Sequence, residues 1–184
     1  SAMIDAFALS SKYASLSNAD LVIEAVFEDM TVKKGVLVDI ENSARADAII
    51  ATNTSYLDVD ELAASLNSSA RLVGLHFFSP AYIMKLLEIV VPDGVSSDVL
   101  ASAVDFGKRL GKINVLSGVC DGFIANRIMS AYRRECEFML EDGAMPWDID
   151  KAMVSFGMPM GIFQMQDLAG LDISWAMRKQ KMSS

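Results

Sequence analysis

The chain has 184 residues, 52% hydrophobic and 22% charged, enough for a buried core in one domain or two small ones. A net charge of −8 and a pI near 4.6 argue against a nucleic-acid partner, because phosphate contact needs a basic face. One histidine, His76, and two cysteines, Cys120 and Cys136, fit no metal or redox spacing.

The predicted elements begin at Asn18-Ala19-Asp20, a turn that leads into an apolar strand over Leu21–Val26. Asp29 is placed to cap a helix reaching about Ala44, with Val32, Val36, Leu37 and Ile40 at helical spacing. Ala48–Thr52 reads as a second strand, and a short helix after Asp58 turns Leu62, Ala63 and Leu66 inward. Arg71–Phe77 and Leu86–Val91 read as two more strands, followed by a helix over about Ser97–Leu110 and a short strand at Ile113–Leu116. This alternation implies βαβ units and a largely parallel sheet. Glu24 and Glu88 interrupt the two most apolar stretches, so neither reaches the ~18 residues of a membrane helix. No secretory signal is legible, and Ser1-Ala2 ahead of Met3 reads as a cloning remnant. An intracellular protein with reduced thiols, cytoplasmic by default, is expected.

From Gly122 to Ser184 only helical periodicity is found, punctuated by Gly143, Pro146, Gly157, Pro159 and Gly161. The methionines of this stretch (Met129, Met139, Met145, Met153, Met158, Met160 and Met165) read as adaptable packing surface. None of the eleven glycines forms the G-x-G that opens a dinucleotide-binding fold. The expected fold class is therefore α/β. An incomplete Rossmann-type sheet domain over residues 1–117, lacking its first βαβ unit, precedes an all-helical domain over residues 118–184.

Four segments place polar residues at strand ends or helix starts. They are Thr52-Asn53-Thr54-Ser55, Leu75-His76-Phe77-Phe78-Ser79-Pro80, Lys85-Leu86-Leu87-Glu88 and Asp121-Gly122-Phe123-Ile124-Ala125-Asn126-Arg127. In open α/β sheets ligands collect beyond the carboxyl ends of strands, within reach of both Ser55 and His76. Each residue also has a plain structural role available. Ser55 suits a turn or helix cap, and Asn126 a first helical turn. Glu88, in an apolar strand, needs a partner, either a cation such as Lys85 or a histidine.

The four segments, in this order, resemble the signature series of the L-3-hydroxyacyl-CoA dehydrogenases. The resemblance runs from about Leu21 to Arg178 and includes Glu24-Ala25-Val26-Phe27-Glu28, Lys33 and Asp167-Leu168-Ala169-Gly170-Leu171-Asp172. The His76–Pro80 and Asp167–Asp172 segments look most like the multifunctional members that fuse an enoyl-CoA hydratase to the dehydrogenase. Ser79 stands where many single-function members carry Asn.

The resemblance implies an NAD-dependent oxidation of the 3-hydroxyl of acyl-CoA thioesters to the 3-keto group, in fatty-acid β-oxidation, with a peroxisomal setting if the source is a eukaryote. It makes His76 the base, Glu88 the group that orients it, and Ser55 and Asn126 hydrogen-bond donors to the substrate. Glu28, Lys33, Ser55 and Ser79 fall on the NAD side, and Lys33 is also placed to meet a phosphate or the thioester arm. Without a G-x-G turn to receive the pyrophosphate, the isolated chain is expected to bind NAD weakly and to turn over negligibly. A homodimer through the apolar helical region is expected. Two other readings stand beside this one. One is a non-catalytic remnant whose helices serve only subunit assembly. The other is a different two-domain dehydrogenase, acting on hydroxy acids or sugar acids.

Overall fold

A computed structural model describes residues 7–170. They form two compact units, one up to Arg127 and one from Ile128.

The first unit is a five-stranded sheet with helices on both faces. Its strands are β1 (Leu21–Glu24), β2 (Ile49–Thr52), β3 (Leu72–Phe77), β4 (Leu86–Val91) and β5 (Ile113–Gly118). Their order across the sheet is β1-β2-β3-β4-β5. All pairs are parallel except β3 and β4, which run antiparallel. The helices are α1 (Met30–Ser43), α2 (Val59–Ala63) and α3 (Ser97–Arg109). Their starts follow from side-chain caps. Asp29 accepts from the Val32 amide, Asp58 from those of Asp60 and Glu61, and Ser96 from that of Val99.

Side chains alternate across the sheet and define two cores. Ile50, Leu72 and Val90 pack with Leu37, Ile40 and Leu62 of α1 and α2. Ala51, Val73, Leu75, Leu87 and Ile89 pack on the other face against Val99 and Ala103 of α3. Gly74 lies opposite Val90, and a Cβ there would stand 2.6 Å from that of Val90, so glycine sets the closeness of β3 to β4.

β5 runs to Gly118 rather than Leu116, and two other departures from the expected elements have a visible cause. β1 ends at Glu24 rather than Val26, because the Glu24 carboxylate turns back to accept from the Val26 amide at 2.7 Å. On α1 the inward position expected for Val32 belongs to Lys33. Val32 is exposed, and Lys33 is buried with its ammonium on Glu24.

The second unit holds most of α4 (Ala125–Glu141), together with α5 (Pro146–Phe156) and α6 (Ile162–Ala169). No strand occurs among its described residues. Pro146 opens α5 and Gly157, at φ +117°, closes it. The Asp150 carboxylate caps α6 by accepting from Phe163 and Gln164, and it packs so tightly on Gly161 that no Cβ fits there. Cys136, Ile149 and Ile162 form a small core, with Met129, Met153 and Met165 packed around it. Met139 and Met145 remain exposed. The motif residues Leu171 and Asp172, with Trp175 and Arg178, lie outside the described residues.

The division after Arg127 falls ten residues beyond the boundary expected at 117/118. Residues 120–127 pack onto the sheet, where Phe123 joins its core and Glu88 accepts from the Ile124 and Ala125 amides.

Candidate active site

The antiparallel register of β3 and β4 sets His76 directly opposite Glu88. Both side chains point to the face that carries Phe123, and both are buried. His76 Nδ1 lies 2.6 Å from Glu88 Oε2. The other carboxylate oxygen, Oε1, accepts from the amides of Ile124 at 3.0 Å and Ala125 at 2.8 Å. A carboxylate with two amide donors on one oxygen acts as an acceptor on the other. His76 Nδ1 therefore carries the proton, and in the neutral ring Nε2 presents its lone pair. Nε2 has no hydrogen-bond partner among the described residues. The rings of Phe78, 4.4 Å from the imidazole centroid, and Phe123, at 5.7 Å, wall it. Of the two partners expected for Glu88, histidine is the one found.

Asn126 follows immediately in the first turn of α4 and is buried, yet its carboxamide makes no hydrogen bond to another described residue. Neither carboxamide atom is among the fully enclosed polar atoms without a partner, so a ligand oxygen can reach this amide. On the neighbouring strand, Asn53 Oδ1 accepts from the Phe77 amide at 2.9 Å and extends the β2–β3 pairing past its last register pair. This bond fixes the loop that carries Ser55 beside the end of the His76 strand. The Ser55 hydroxyl is unpaired among the described residues, while its amide donates to Glu28 Oε1 at 2.7 Å. Glu28 Oε1 also accepts from the Tyr56 amide and the Thr54 hydroxyl, so one carboxylate shapes the whole 54–56 turn.

Lys33 is placed differently from its expected contact with a phosphate or thioester arm. Only 1% exposed, it donates to Glu24 Oε1 at 2.7 Å and lies 3.5 Å from Glu28 Oε2. Glu24 Oε2 accepts in turn from the Thr52 hydroxyl. A buried ammonium is stable only beside such carboxylates, and the pair ties α1 to the ends of β1 and β2. Ser79 is exposed and forms no hydrogen bond among the described residues. The structure thus brings His76, Glu88 and the start of α4 into one hydrogen-bonded group. It brings Glu28, Ser55 and Lys33 into a second, and leaves Ser79 outside both.

Sequence reasoning missed Asn53, Thr54 and the Gly122-Phe123 turn as structural parts of this site. Asn53 and Thr54 flank the chosen Ser55, but nothing in a local pattern shows which residue of Asn-Thr-Ser faces the neighbouring strand. The Asp121-Gly122 dipeptide does carry a turn signal.

The residues at the carboxyl ends of β1 and β2 suit the nicotinamide end of a dinucleotide. Val26 and the 85%-exposed Phe27 offer apolar surface, and Glu28 and the Ser55 hydroxyl stand beside them. The glycine-rich turn that receives a pyrophosphate is not among the 184 residues.

A Rossmann-type sheet unit bearing a carboxylate-paired imidazole at its strand ends, followed by a helical region, is the organisation of a two-domain dehydrogenase. Comparison with known proteins makes the assignment specific. Residues 1–120 match the model of the 3-hydroxyacyl-CoA dehydrogenase NAD binding domain, and residues 122–184 match that of the C-terminal domain. The chain belongs to the 3-hydroxyacyl-CoA dehydrogenase family. It is 45% identical over 180 residues to the peroxisomal bifunctional enzyme of Danio rerio, covering 98% of this chain and 25% of that protein. The dehydrogenase part of multifunctional enzyme 1 from C. elegans superposes with a TM-score of 0.68 at 37% identity, over 93% of this chain and 40% of that one. The (S)-3-hydroxybutyryl-CoA dehydrogenase of Ralstonia eutropha superposes with a TM-score of 0.85 at 33% identity, over 91% and 60%. The chain spans about a quarter of the length of the curated relatives it matches.

Proposed function

We propose that this chain supplies the base and the substrate-side groups of an NAD-dependent L-3-hydroxyacyl-CoA dehydrogenase acting in fatty-acid β-oxidation. The single observation that carries the reading is the buried His76–Glu88 pair with Nε2 open. His76 Nε2 takes the proton from the 3-hydroxyl of an acyl-CoA thioester. NAD, when bound, supplies the acceptor for the hydride that leaves the same carbon. Glu88 holds the ring orientation and stabilises the imidazolium, and in the reverse direction the imidazolium returns the proton. Asn126 and the Ser55 hydroxyl donate to the oxygens of the substrate as the carbonyl forms. Glu28 and Ser55 would hold the nicotinamide end of the cofactor, and Lys33 would act there through its hold on Glu28. Ser79, exposed past the end of β3, is assigned to the cofactor side by family likeness alone.

His76 is the only histidine, so its imidazole resonances report on the site without ambiguity. Titration with a 3-ketoacyl-CoA is expected to shift the Nε2 signal of His76. A ligand that leaves that signal unmoved at millimolar concentration overturns the reading.

The helical unit supports a homodimer as the partner arrangement. Phe156 is 88% exposed, and Phe138, Met139 and Met145 are each 49% exposed. An isologous interface covers such side chains in both copies at once. The curated relatives include peroxisomal and glyoxysomal enzymes, and a peroxisomal setting is proposed for this chain on that likeness. No helix among the described residues is long and apolar enough to cross a membrane.

A further inference from the structure

Glu88 is fully buried, yet no lysine or arginine lies within ion-pair distance of it among the described residues. Removing a carboxylate from water is costly unless fixed donors replace the lost hydration. Besides His76, those donors are the Ile124 and Ala125 amides, and the backbone just before them shows how they are aimed. Gly122 and Phe123 are consecutive residues in the left-handed region, at φ +70° and +48°, and Phe123 is the one non-glycine residue with positive φ among those described. Such a conformation is strained for a phenylalanine and persists only where the surroundings enforce it. Here the Phe123 amide donates to Cys120 O at 3.0 Å, and the Arg127 amide donates to Gly122 O at 3.1 Å. The ring of Phe123, 1% exposed, is locked in the core beside the imidazole.

We propose that the Gly122-Phe123 turn is a positioning device for the His76–Glu88 pair. It converts the N-terminal amides of α4 into a two-pronged clamp on Glu88 Oε1. With that oxygen clamped, the carboxylate cannot rotate about its terminal bond, and Oε2 stays on His76 Nδ1. The clamp thereby selects the imidazole tautomer whose Nε2 is free to take a proton. Peptide donors suit this task, because they support the negative charge of Glu88 without a mobile cation that would compete with the imidazole. Gly122 itself is required twice over, by its positive φ and by the 3.2 Å that would separate a Cβ from the Arg127 amide nitrogen. Gly122 and Phe123 are positioning residues that act through Glu88.

The inference rests on the proposed role of His76, but its test needs neither cofactor nor substrate. In the full chain with ¹⁵N-labelled histidine, the ring-nitrogen shifts report the tautomer of the neutral imidazole, and exchange rates report the Nδ1–H bond. Gly122→Ala is expected to speed exchange of Nδ1–H and of the Ile124 and Ala125 amides by about tenfold or more, and to populate the Nε2–H tautomer. The amides of β1 to β3 should keep their wild-type protection, which separates loss of the clamp from loss of the fold. Glu88→Gln provides the reciprocal measurement, and it applies even if Gly122→Ala fails to fold. It keeps a neutral acceptor and removes the charge, so Ile124 and Ala125 exchange should again accelerate by about tenfold. Unchanged Ile124 and Ala125 exchange in Glu88→Gln overturns the proposal, as does an unchanged tautomer in a folded Gly122→Ala. If the clamp responds as expected but a 3-ketoacyl-CoA leaves His76 unmoved, the catalytic reading fails and the positioning device stands.

Discussion

In the sheet unit, Leu75, Leu87 and Ile89 have no exposed surface, and even Lys33 and Glu88 are enclosed with their partners. Among the described residues of the helical unit the buried core comes down to Cys136, Ile149 and Ile162, while Phe156 and Leu168 stand 88% and 76% exposed. A groove of about 640 Å³ runs along the second unit, lined by Tyr132, Cys136, Met139, Ile149, Met153 and Phe156 among others. Burial there pushes the Tyr132 phenol and the Cys136 thiol up from their ordinary values. The difference teaches where each kind of task can sit. A network that must hold a proton at one nitrogen needs the closed, cross-strand packing of a sheet. Among the described residues of the helical unit, aromatic side chains such as Phe138 and Phe156 stay open to solvent, and a surface of this kind suits association.

The largest effect that would break this division concerns turnover. In an assay on a polypeptide that joins these residues to a glycine-rich cofactor turn, His76→Gln is expected to lower kcat by roughly 10²- to 10⁴-fold. Glu88→Gln should cost about 10- to 100-fold, nearly all in kcat rather than KM. Phe156→Ala, in the helical groove, should leave both constants near wild type. A comparable loss from Phe156→Ala would mean that the helical unit shares the chemistry.

Stability sharpens the same contrast. Leu75→Ala should destabilise the chain by about 2–5 kcal/mol in urea unfolding, because its closed surroundings cannot collapse around the cavity. Phe156→Ala should cost less than about 0.5 kcal/mol at protein concentrations where the chain is monomeric. Equal losses at the two positions would show the exposed ring to be packed in solution.

Association comes next. Light scattering at micromolar concentration is expected to give twice the 20.0 kDa of one chain. The interface should bury on the order of 2,000 Å². Phe156→Asp should return the mass to that of a monomer. A wild-type monomer would refute the dimer while leaving the sheet site untouched.

The smallest effect is in acid. Burial pulls the Glu41 carboxyl upward, but the Asn67 and Ser68 amides, the Asn67 side chain and Arg71 outweigh it, and they hold the group below its ordinary 4.5. A depressed carboxylate contributes stability above its unfolded value, and that contribution is lost as pH falls from about 4.5 through the folded value. Glu41→Gln should therefore flatten the acid limb of the stability curve in the sheet unit. An unchanged slope would show the Glu41 bonds to be absent in solution.

Much of this organisation is legible in the chain itself. Asp29, Asp58 and the apolar spacing around them mark where helices begin, and β4 runs over Leu86–Val91 as its composition suggests. Short-range physics decides such features, since a cap or an alternating strand needs only its near neighbours. The residues of the proposed site are legible too, through an ordered series of motifs rather than through any one of them. Pairing across distance was settled by the tertiary structure. Val32 and Lys33 compete for one inward position on α1, and Lys33 takes it because Glu24, nine residues away, is brought to meet its ammonium. Glu88 allowed either Lys85 or a histidine as partner, and the antiparallel register of β3 on β4 chose His76. Register and the aim of a buried amide depend on contacts 12 to 37 residues apart. A linear pattern cannot rank such contacts, because the energy that selects them exists only once the sheet has closed around them.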